Sequence, residues 1–196
     1  MKKQINEETK LILLPNSLVE RLKEASLKNN ISLSEFASEA LEQALRANGM
    51  GAKFSETVDL FRMMTLQKEA GAMTIPRTNL NFLIEKLHLK DLEELKTLWQ
   101  EAGRWYGEYL SNKMQKDEVF KFLKNELRYA WNLDEVDVVK DDDVLFRFTS
   151  FTMELELTEL LLCYIDGIME SLGYREIERD HLRGMASLKF TRFSKT

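Results

Sequence analysis

The side chains with the widest scope for chemistry in this chain are few. They are one cysteine, Cys163, and two histidines, His88 and His181. A structural zinc ion takes four ligands, so this set cannot supply a cysteine-rich zinc site within one chain. A single cysteine also excludes an internal disulfide framework and fits a reducing compartment. We therefore expect neither a metal site nor a disulfide.

Carboxylates are abundant, but their positions indicate structural roles. Glu154, Glu156 and Glu159 fall at the predicted start of a helix, where acidic side chains interact favourably with the positive end of the helix dipole. Three aspartates at 141–143 separate two strand-like segments, as a turn does. The sequence has no glycine-rich phosphate loop and no defensible Ser-His-Asp order. It predicts a protein that is not an enzyme and has no cofactor.

Composition indicates a globular protein. The chain has 196 residues, of which 44% are apolar and 10% aromatic, enough to bury a core in one ordinary domain or two small ones. A formal net charge of -5 argues against a protein that coats nucleic acid nonspecifically. Residues 1–4 lead into polar residues, and the longest apolar run, residues 159–166, is interrupted by carboxylates too early to span a bilayer. We expect a cytoplasmic protein without a membrane partner.

The N-terminal arm contains a short strand-like segment and two helical segments. Residues 9–15 are rich in branched side chains and end at a proline, which cannot donate to a strand ladder. A helix follows, with Asn16 or Ser17 as its N-cap. The hydroxyl of Ser32 then opens a second helix by accepting from the amide of Glu35. One strand and two short helices cannot enclose a core, so the arm predicts an intertwined homodimer.

Three segments of this arm share their order with a known family: LPNSLVERL at 14–22, ISLSEF at 31–36, and Ala40-Leu41. Together they resemble the ribbon-helix-helix fold of Arc- and CopG-type repressors, over residues 8–47. The resemblance implies that two chains pair their strands into an antiparallel ribbon that enters the DNA major groove, while the second helix directs its N-terminal amides at a phosphate. The DNA-binding residues that it implies are Thr9, Lys10, Leu11, Leu13, Ser32 and Ser34.

Two features leave a second interpretation of this arm open. Family members usually direct polar or basic side chains at the bases, because donors and acceptors read base edges, but two outward positions here are Leu11 and Leu13. Residues 1–50 also hold seven basic and seven acidic side chains, which leaves no excess charge for phosphates. The alternative is a dimeric adaptor that does not bind DNA, in which this arm is only a dimer clasp.

The remaining sequence predicts a connector helix and an α+β domain. Residues 54–70 are apolar over a wide arc, which favours a helix packed on two sides. The later patterns predict helices over 79–89, 91–114 and 116–131, a hairpin over 135–140 and 144–151, a helix over 153–172, and strands over 174–179 and 185–193. That order favours an antiparallel four-stranded sheet. The predicted domains are residues 1–50, a connector over 51–70, and residues 71–196.

The C-terminal arm has its own resemblance. It rests on the segments CYIDGIMESLGY at 163–174 and ERDH at 178–181, followed by Gly184 and Lys189-Phe190. These are similar to the closing half of 4-vinyl reductase domains, whose fold is shared with TRAPP-type tethering subunits, over roughly residues 70–193. The resemblance implies a dimerising sensor of small hydrophobic molecules. Many members hold a metal with three cysteines; here those positions are Cys163, His181 and Leu188, so we interpret the metal site as lost.

A ligand pocket is predicted around Trp99, Trp105 and Cys163. Gly103 lies between the two tryptophans in the sequence, and Gly107 follows the second of them, four residues after Gly103. This spacing lets another backbone or a flat ligand come close. Close helix packing is the simpler interpretation of the two glycines.

The two arms together predict a dimeric transcriptional regulator that binds operator DNA and senses a small apolar ligand or a partner. In this hypothesis, ligand binding shifts the connector helix and changes how the paired strands sit in the groove. The alternatives are the adaptor and a small-molecule enzyme of the vinyl reductase type, for which the residues give no support.

Overall fold

A computed structural model of the protein describes residues 11–88 and 90–193. Seven helices and four strands lie within them, which confirms the α+β class. None of the helices in these residues is both long and apolar enough to cross a membrane. In chain order the elements are α1 (Asn16–Lys28), α2 (Leu33–Gly49), α3 (Phe54–Glu69), α4 (Arg77–His88), α5 (Leu92–Lys113), α6 (Lys116–Tyr129), β1 (Glu135–Lys140), β2 (Asp143–Thr149), α7 (Leu155–Ser171), β3 (Tyr174–Leu182) and β4 (Met185–Arg192).

The chain forms two compact units, Met1–Val58 and Asp59–Thr196. The division falls within α3, the helix that the sequence predicts over residues 54–70. The role of this helix as a connector between domains stays a prediction.

In the first unit, α1 begins directly after Pro15. The carbonyl of Pro15 accepts hydrogen bonds from the amides of Leu18 and Val19 at 3.0 and 3.1 Å, and no side chain caps this end. The predicted N-cap at Asn16 or Ser17 is therefore wrong. Proline suits the position because it has a carbonyl to offer and no amide hydrogen that needs a partner.

The start of α2 follows the sequence prediction. Ser32 is its N-cap, and its Oγ accepts a hydrogen bond from the amide of Glu35 at 3.1 Å. Residues 11–15 belong to no helix or strand of this single chain, and Thr9 and Lys10 lie outside the described residues. A ribbon strand takes its ladder hydrogen bonds from a second chain, so the strand over residues 9–15 stays a prediction.

The second unit contains the predicted four-stranded antiparallel sheet, in the order β1-β2-β4-β3. Buried side chains of β2 and β4 alternate along one face, and the rings of Phe146 and Phe190 meet edge to face there at 5.9 Å. Helices α6 and α7 pack against the sheet. Residues 141 and 142 form the predicted turn between β1 and β2, whereas Asp143, predicted to lie in the same turn, is the first residue of β2.

Three glycines allow α5 and α7 to pack backbone against backbone. A Cβ atom at Gly103 would overlap the carbonyl oxygen of Tyr164, and one at Gly167 would overlap the carbonyl oxygen of Gln100. A Cβ atom at Gly107, one turn beyond Gly103, would overlap the Ser171 hydroxyl and the carbonyl oxygen of Ile168, both on α7. Close helix packing is thus confirmed as the reason for the Gly103 and Gly107 spacing.

Candidate functional site

A cleft of about 810 Å³ lies within the second unit. Its walls come from the last three turns of α3, the segment between α3 and α4, the first turn of α4, the C-terminal end of α6 with residues 130–132, and the N-terminal half of α7 with the residue Met153 before it. Small-molecule sites typically have volumes of about 300–1,000 Å³ and mostly apolar linings. The lining here has that character; it includes Leu60, Met63, Met64, Met73, Ile75 and Leu157.

Helix α3, which forms one wall of the cleft, is attached to the rest of the second unit mainly by its buried apolar side chains. Met63 and Leu66 are buried in the core of the unit. Three exposed ion pairs flank them, Arg62 with Glu118 at 3.0 Å, Asp59 with Lys121 at 2.8 Å and Glu69 with Lys113 at 2.7 Å. Exposed pairs contribute little each, so the apolar contacts of α3 supply most of its attachment.

One buried carboxyl group, Glu126 on α6, lines this cleft. Its side chain is buried, with 5% of the residue exposed, and Oε1 accepts a hydrogen bond from Gln67 Nε2 at 3.1 Å. Oε2 is buried, and the Tyr106 hydroxyl lies beside this carboxyl group as a second donor, outside strict hydrogen-bond geometry. Burial raises the pKa of Glu126 to about 7, although the hydrogen-bonding side chains of Gln67 and Tyr106 oppose the shift. The group therefore changes charge near neutral pH.

An aromatic layer lies next to Glu126. The rings of Tyr106 and Tyr164 stack with their centroids 6.0 Å apart. The ring of Trp131 lies 5.5 Å from that of Tyr164 and 5.6 Å from that of Trp99, again between centroids. Burial raises the pKa of Tyr106 and of Tyr164 far above the usual tyrosine value. Both hydroxyls therefore stay protonated. The hydroxyl of Tyr106 is buried beside the Glu126 carboxyl group, whose charge and hydrogen bonding also raise the pKa of this tyrosine.

The structure does not bring the predicted pocket residues together. Trp99 is half-buried behind the cleft against Trp131, whereas Trp105 is 54% exposed and stacks on Tyr109 at 5.7 Å. Cys163 is half-buried on α7, where burial raises its thiol pKa. None of the three lines the cleft. The reason is helical geometry: six residues separate the two tryptophans, which turns their side chains about 120° apart.

Sequence reasoning missed Glu126, the polar group at the wall of the cleft. A signal was present, because Glu126 falls in the buried stripe of α6 formed by Val119, Leu123 and Leu127, at a position where an apolar residue is expected. A carboxylate at such a position is rarely buried without a partner.

The face of α7 that carries Cys163 holds a polar network. Gln100 Nε2 donates to Asp166 Oδ2 at 2.9 Å, and Arg104 Nε donates to Glu170 Oε2 at 2.6 Å. Burial raises the pKa of Asp166 to about 6. The contacts tie α5 to α7, and within residues 11–88 and 90–193 no three His, Cys, Asp or Glu side chains are grouped to hold a metal.

The predicted DNA-binding residues that the structure describes are all at the surface of the first unit. Leu11 and Leu13 are 91% and 88% exposed. Ser32 and Ser34 are exposed in the first turn of α2, where the Ser32 Oγ is already engaged as the cap. Thr9 and Lys10 lie outside the described residues.

No family model matches this chain, and no curated protein matches it. A solved structure described as "Probing the function of heme distortion in the H-NOX family" shares 15% sequence identity with it, over 67% of this chain and 86% of that chain, with a TM-score of 0.36. A likeness of that size assigns neither a fold nor a function.

Proposed function

We propose that the protein is a homodimeric transcriptional regulator. The first unit pairs with the same unit of a second copy in a ribbon-helix-helix arrangement and binds duplex DNA. The second unit, which we assign to the 4-vinyl reductase type of domain, binds a small apolar molecule and thereby controls DNA binding.

The observation that carries the dimer is the exposed apolar surface of the first unit. Ser26 and Ala47 are the buried residues of α1 and α2, so these two helices have almost no core of their own. Leu27, Leu41 and Leu45 are 74%, 56% and 68% exposed. Burying such side chains contributes roughly 1.5–3 kcal/mol each, whereas two ordered helices without a core cannot offset their conformational entropy. A second copy of the unit supplies the missing contacts.

DNA binding is supported by the order of the elements in this unit. An extended segment, a proline, α1 and a serine-capped α2 follow one another as in ribbon-helix-helix repressors. Ser32 fixes the start of α2 and leaves further amides of the first turn free to approach a phosphate. Leu11 and Leu13 offer apolar contacts to thymine methyl groups rather than hydrogen bonds to base edges.

The sensing role is supported by the cleft of the second unit. Its volume and its apolar lining suit a small hydrophobic molecule. One of its walls is α3, the helix in which the chain passes from one unit to the other, so an occupant of the cleft touches the segment that leads to the DNA-binding unit.

A salt titration of DNA affinity tests the proposal. The full chain is expected to bind its own upstream DNA more tightly than mixed duplex, with the affinity falling about 100-fold or more between 50 and 200 mM salt, because phosphate contacts release counterions. Replacing both Leu11 and Leu13 by Ala is expected to reduce the preference for the upstream DNA about tenfold, since each CH₂ group withdrawn from contact with a thymine methyl group costs about 0.8 kcal/mol.

Leu182→Ala, which removes an exposed leucine of the second unit, is the matched control and should leave DNA binding unchanged. The absence of binding at low salt would contradict the proposal and favour the adaptor, in which the first unit is only a dimer clasp.

A further inference from the structure

Residues 73–75, between α3 and α4, belong to the cleft lining and are fixed at both ends. At the first end, the amides of Gly71 and Ala72 donate to the carbonyls of Lys68 and Gln67 in the last turn of α3, at 3.1 and 2.9 Å. Gly71 has a φ of +77°, in the left-handed region that glycine adopts readily at the end of a helix. The chain therefore leaves α3 in a defined direction.

The second end is fixed by the start of α4. The carbonyl of Pro76 accepts hydrogen bonds from the amides of Asn79 and Leu80 at 3.0 and 3.1 Å. The guanidinium of Arg77 donates to the Thr152 hydroxyl, and α4 packs against α5 and α7. Both ends of the segment are thus attached to packed helices.

The middle of the segment is held much less firmly. Met73, Thr74 and Ile75 form no hydrogen bond, through backbone or side chain, with any residue in 11–88 or 90–193. Met73 and Ile75 are 86% and 45% exposed, although both line an apolar cleft. Covering such side chains with an apolar molecule removes them from water and lowers the free energy.

We propose that residues 73–75 are a strap that closes on the ligand of the cleft, so that Met73 and Ile75 become the outer wall of the occupied site. This assignment rests on the proposed sensing function of the second unit and names the residues that enclose its ligand. A segment with fixed ends and an unbonded middle moves without breaking a hydrogen bond. Closure buries two apolar side chains against the ligand and excludes water from the cleft.

The two side chains suit this role in different ways. Methionine is unbranched and flexible, so Met73 can adapt to hydrocarbon of varied shape, as can Met63 and Met64 on the α3 wall. Ile75 branches at Cβ and has a restricted side-chain rotation. The closed strap therefore contributes one adaptable and one stiff apolar contact to the site.

Thiol accessibility at position 73 tests the closure. Met73→Cys is combined with Cys163→Ala, which removes the one native cysteine, and the reaction of the full chain with a water-soluble disulfide reagent is followed with and without octan-1-ol, a neutral apolar probe. In the free chain the thiol is expected to react as an exposed cysteine does. Saturating octan-1-ol is expected to slow the reaction at least about tenfold, because the thiol reacts only when the strap reopens.

Leu182→Cys in the same Cys163→Ala background is the matched control. Leu182 is exposed in the second unit and does not line the cleft, so octan-1-ol should leave the reaction rate of a thiol there unchanged.

The affinity for octan-1-ol, measured by calorimetric titration of the full chain, is the second readout. Replacing both Met73 and Ile75 by Ala is expected to weaken binding about tenfold, because the closed site loses its outer apolar wall. Neither side chain is buried in the free chain, so the two substitutions remove no core contact.

Two results would overturn the strap and leave the apolar site of the proposed function standing. They are an unchanged thiol rate at position 73 in a chain that binds octan-1-ol, and an unchanged affinity in the double alanine variant. A wild-type chain that does not bind octan-1-ol would overturn both the strap and the sensing role of the cleft.

Discussion

Gly167→Ala is expected to lower the free energy of unfolding of the second unit by about 3 kcal/mol or more. The added methyl group would overlap the carbonyl oxygen of Gln100 and lie 2.9 Å from the backbone nitrogen of Arg104. Both are backbone atoms of α5, so they cannot rotate away as a flexible side chain can. The methyl group must separate α5 from α7, which opens the packed interior around the buried Leu161 and Ile168.

Urea unfolding followed by tryptophan fluorescence measures this effect. All three tryptophans of the chain, Trp99, Trp105 and Trp131, belong to the second unit, so their emission reports its unfolding. Gly49→Ala is the control, because Gly49 lies in α2 and a Cβ there would have no atom within 4 Å. This control should leave the tryptophan transition unchanged. A midpoint for Gly167→Ala close to that of the wild type would show that α5 and α7 do not meet at this glycine.

Glu126→Gln is expected to make the free energy of unfolding of the second unit less sensitive to rising pH. The pKa of Glu126 is about 7 in the folded chain, against the usual value of 4.5 for an exposed glutamate. Between those two values the folded chain holds a proton that the unfolded chain has lost, so wild-type stability falls as the pH rises through this window and the loss is complete above about pH 7. Each pKa unit corresponds to 1.36 kcal/mol, which gives a loss of about 3 kcal/mol.

The measurement is the free energy of unfolding of wild type and Glu126→Gln at intervals from pH 4.5 to 8. Between pH 4.5 and 8, the free energy of unfolding of the variant should rise by about 3 kcal/mol relative to that of the wild type. Asp166, whose pKa burial raises to about 6, titrates in both proteins and cancels in the difference. Glu118→Gln should follow the wild type. A constant difference between wild type and Glu126→Gln would mean that the carboxyl group ionises as freely in the folded chain as in water.

Periodicity and turn residues predicted the elements of the second unit well, because its helices and strands each have a clear apolar period. The four-stranded antiparallel sheet follows from two hairpins that flank a helix. The spacing of Gly103 and Gly107 predicted a close contact with another helix. The sequence did not show that Gly167 lies on that other helix, at the same contact. A close approach of two backbones requires a small residue on both sides, and only the fold shows which residues face each other.

The cleft could not be predicted because its walls come from distant parts of the chain. Leu60, Ile75 and Leu157 lie far apart in sequence and meet only in the folded unit. The predicted pocket relied on aromatic residues and the single cysteine, and these point in different directions from α5 and α7. A charged residue within an apolar helical stripe, as at Glu126, is the better signal for a buried polar site.

Sedimentation equilibrium of the full chain tests the homodimer most directly. The expected mass at micromolar concentration is twice the chain mass of 23.0 kDa, and replacing both Leu41 and Leu45 by Asp should return it to 23.0 kDa, because a charged face cannot be buried between two copies. Both leucines are exposed in the single chain, so the substitutions disturb no core contact. A wild-type mass of 23.0 kDa at every concentration, or a variant that remains a dimer, would contradict pairing through the first unit.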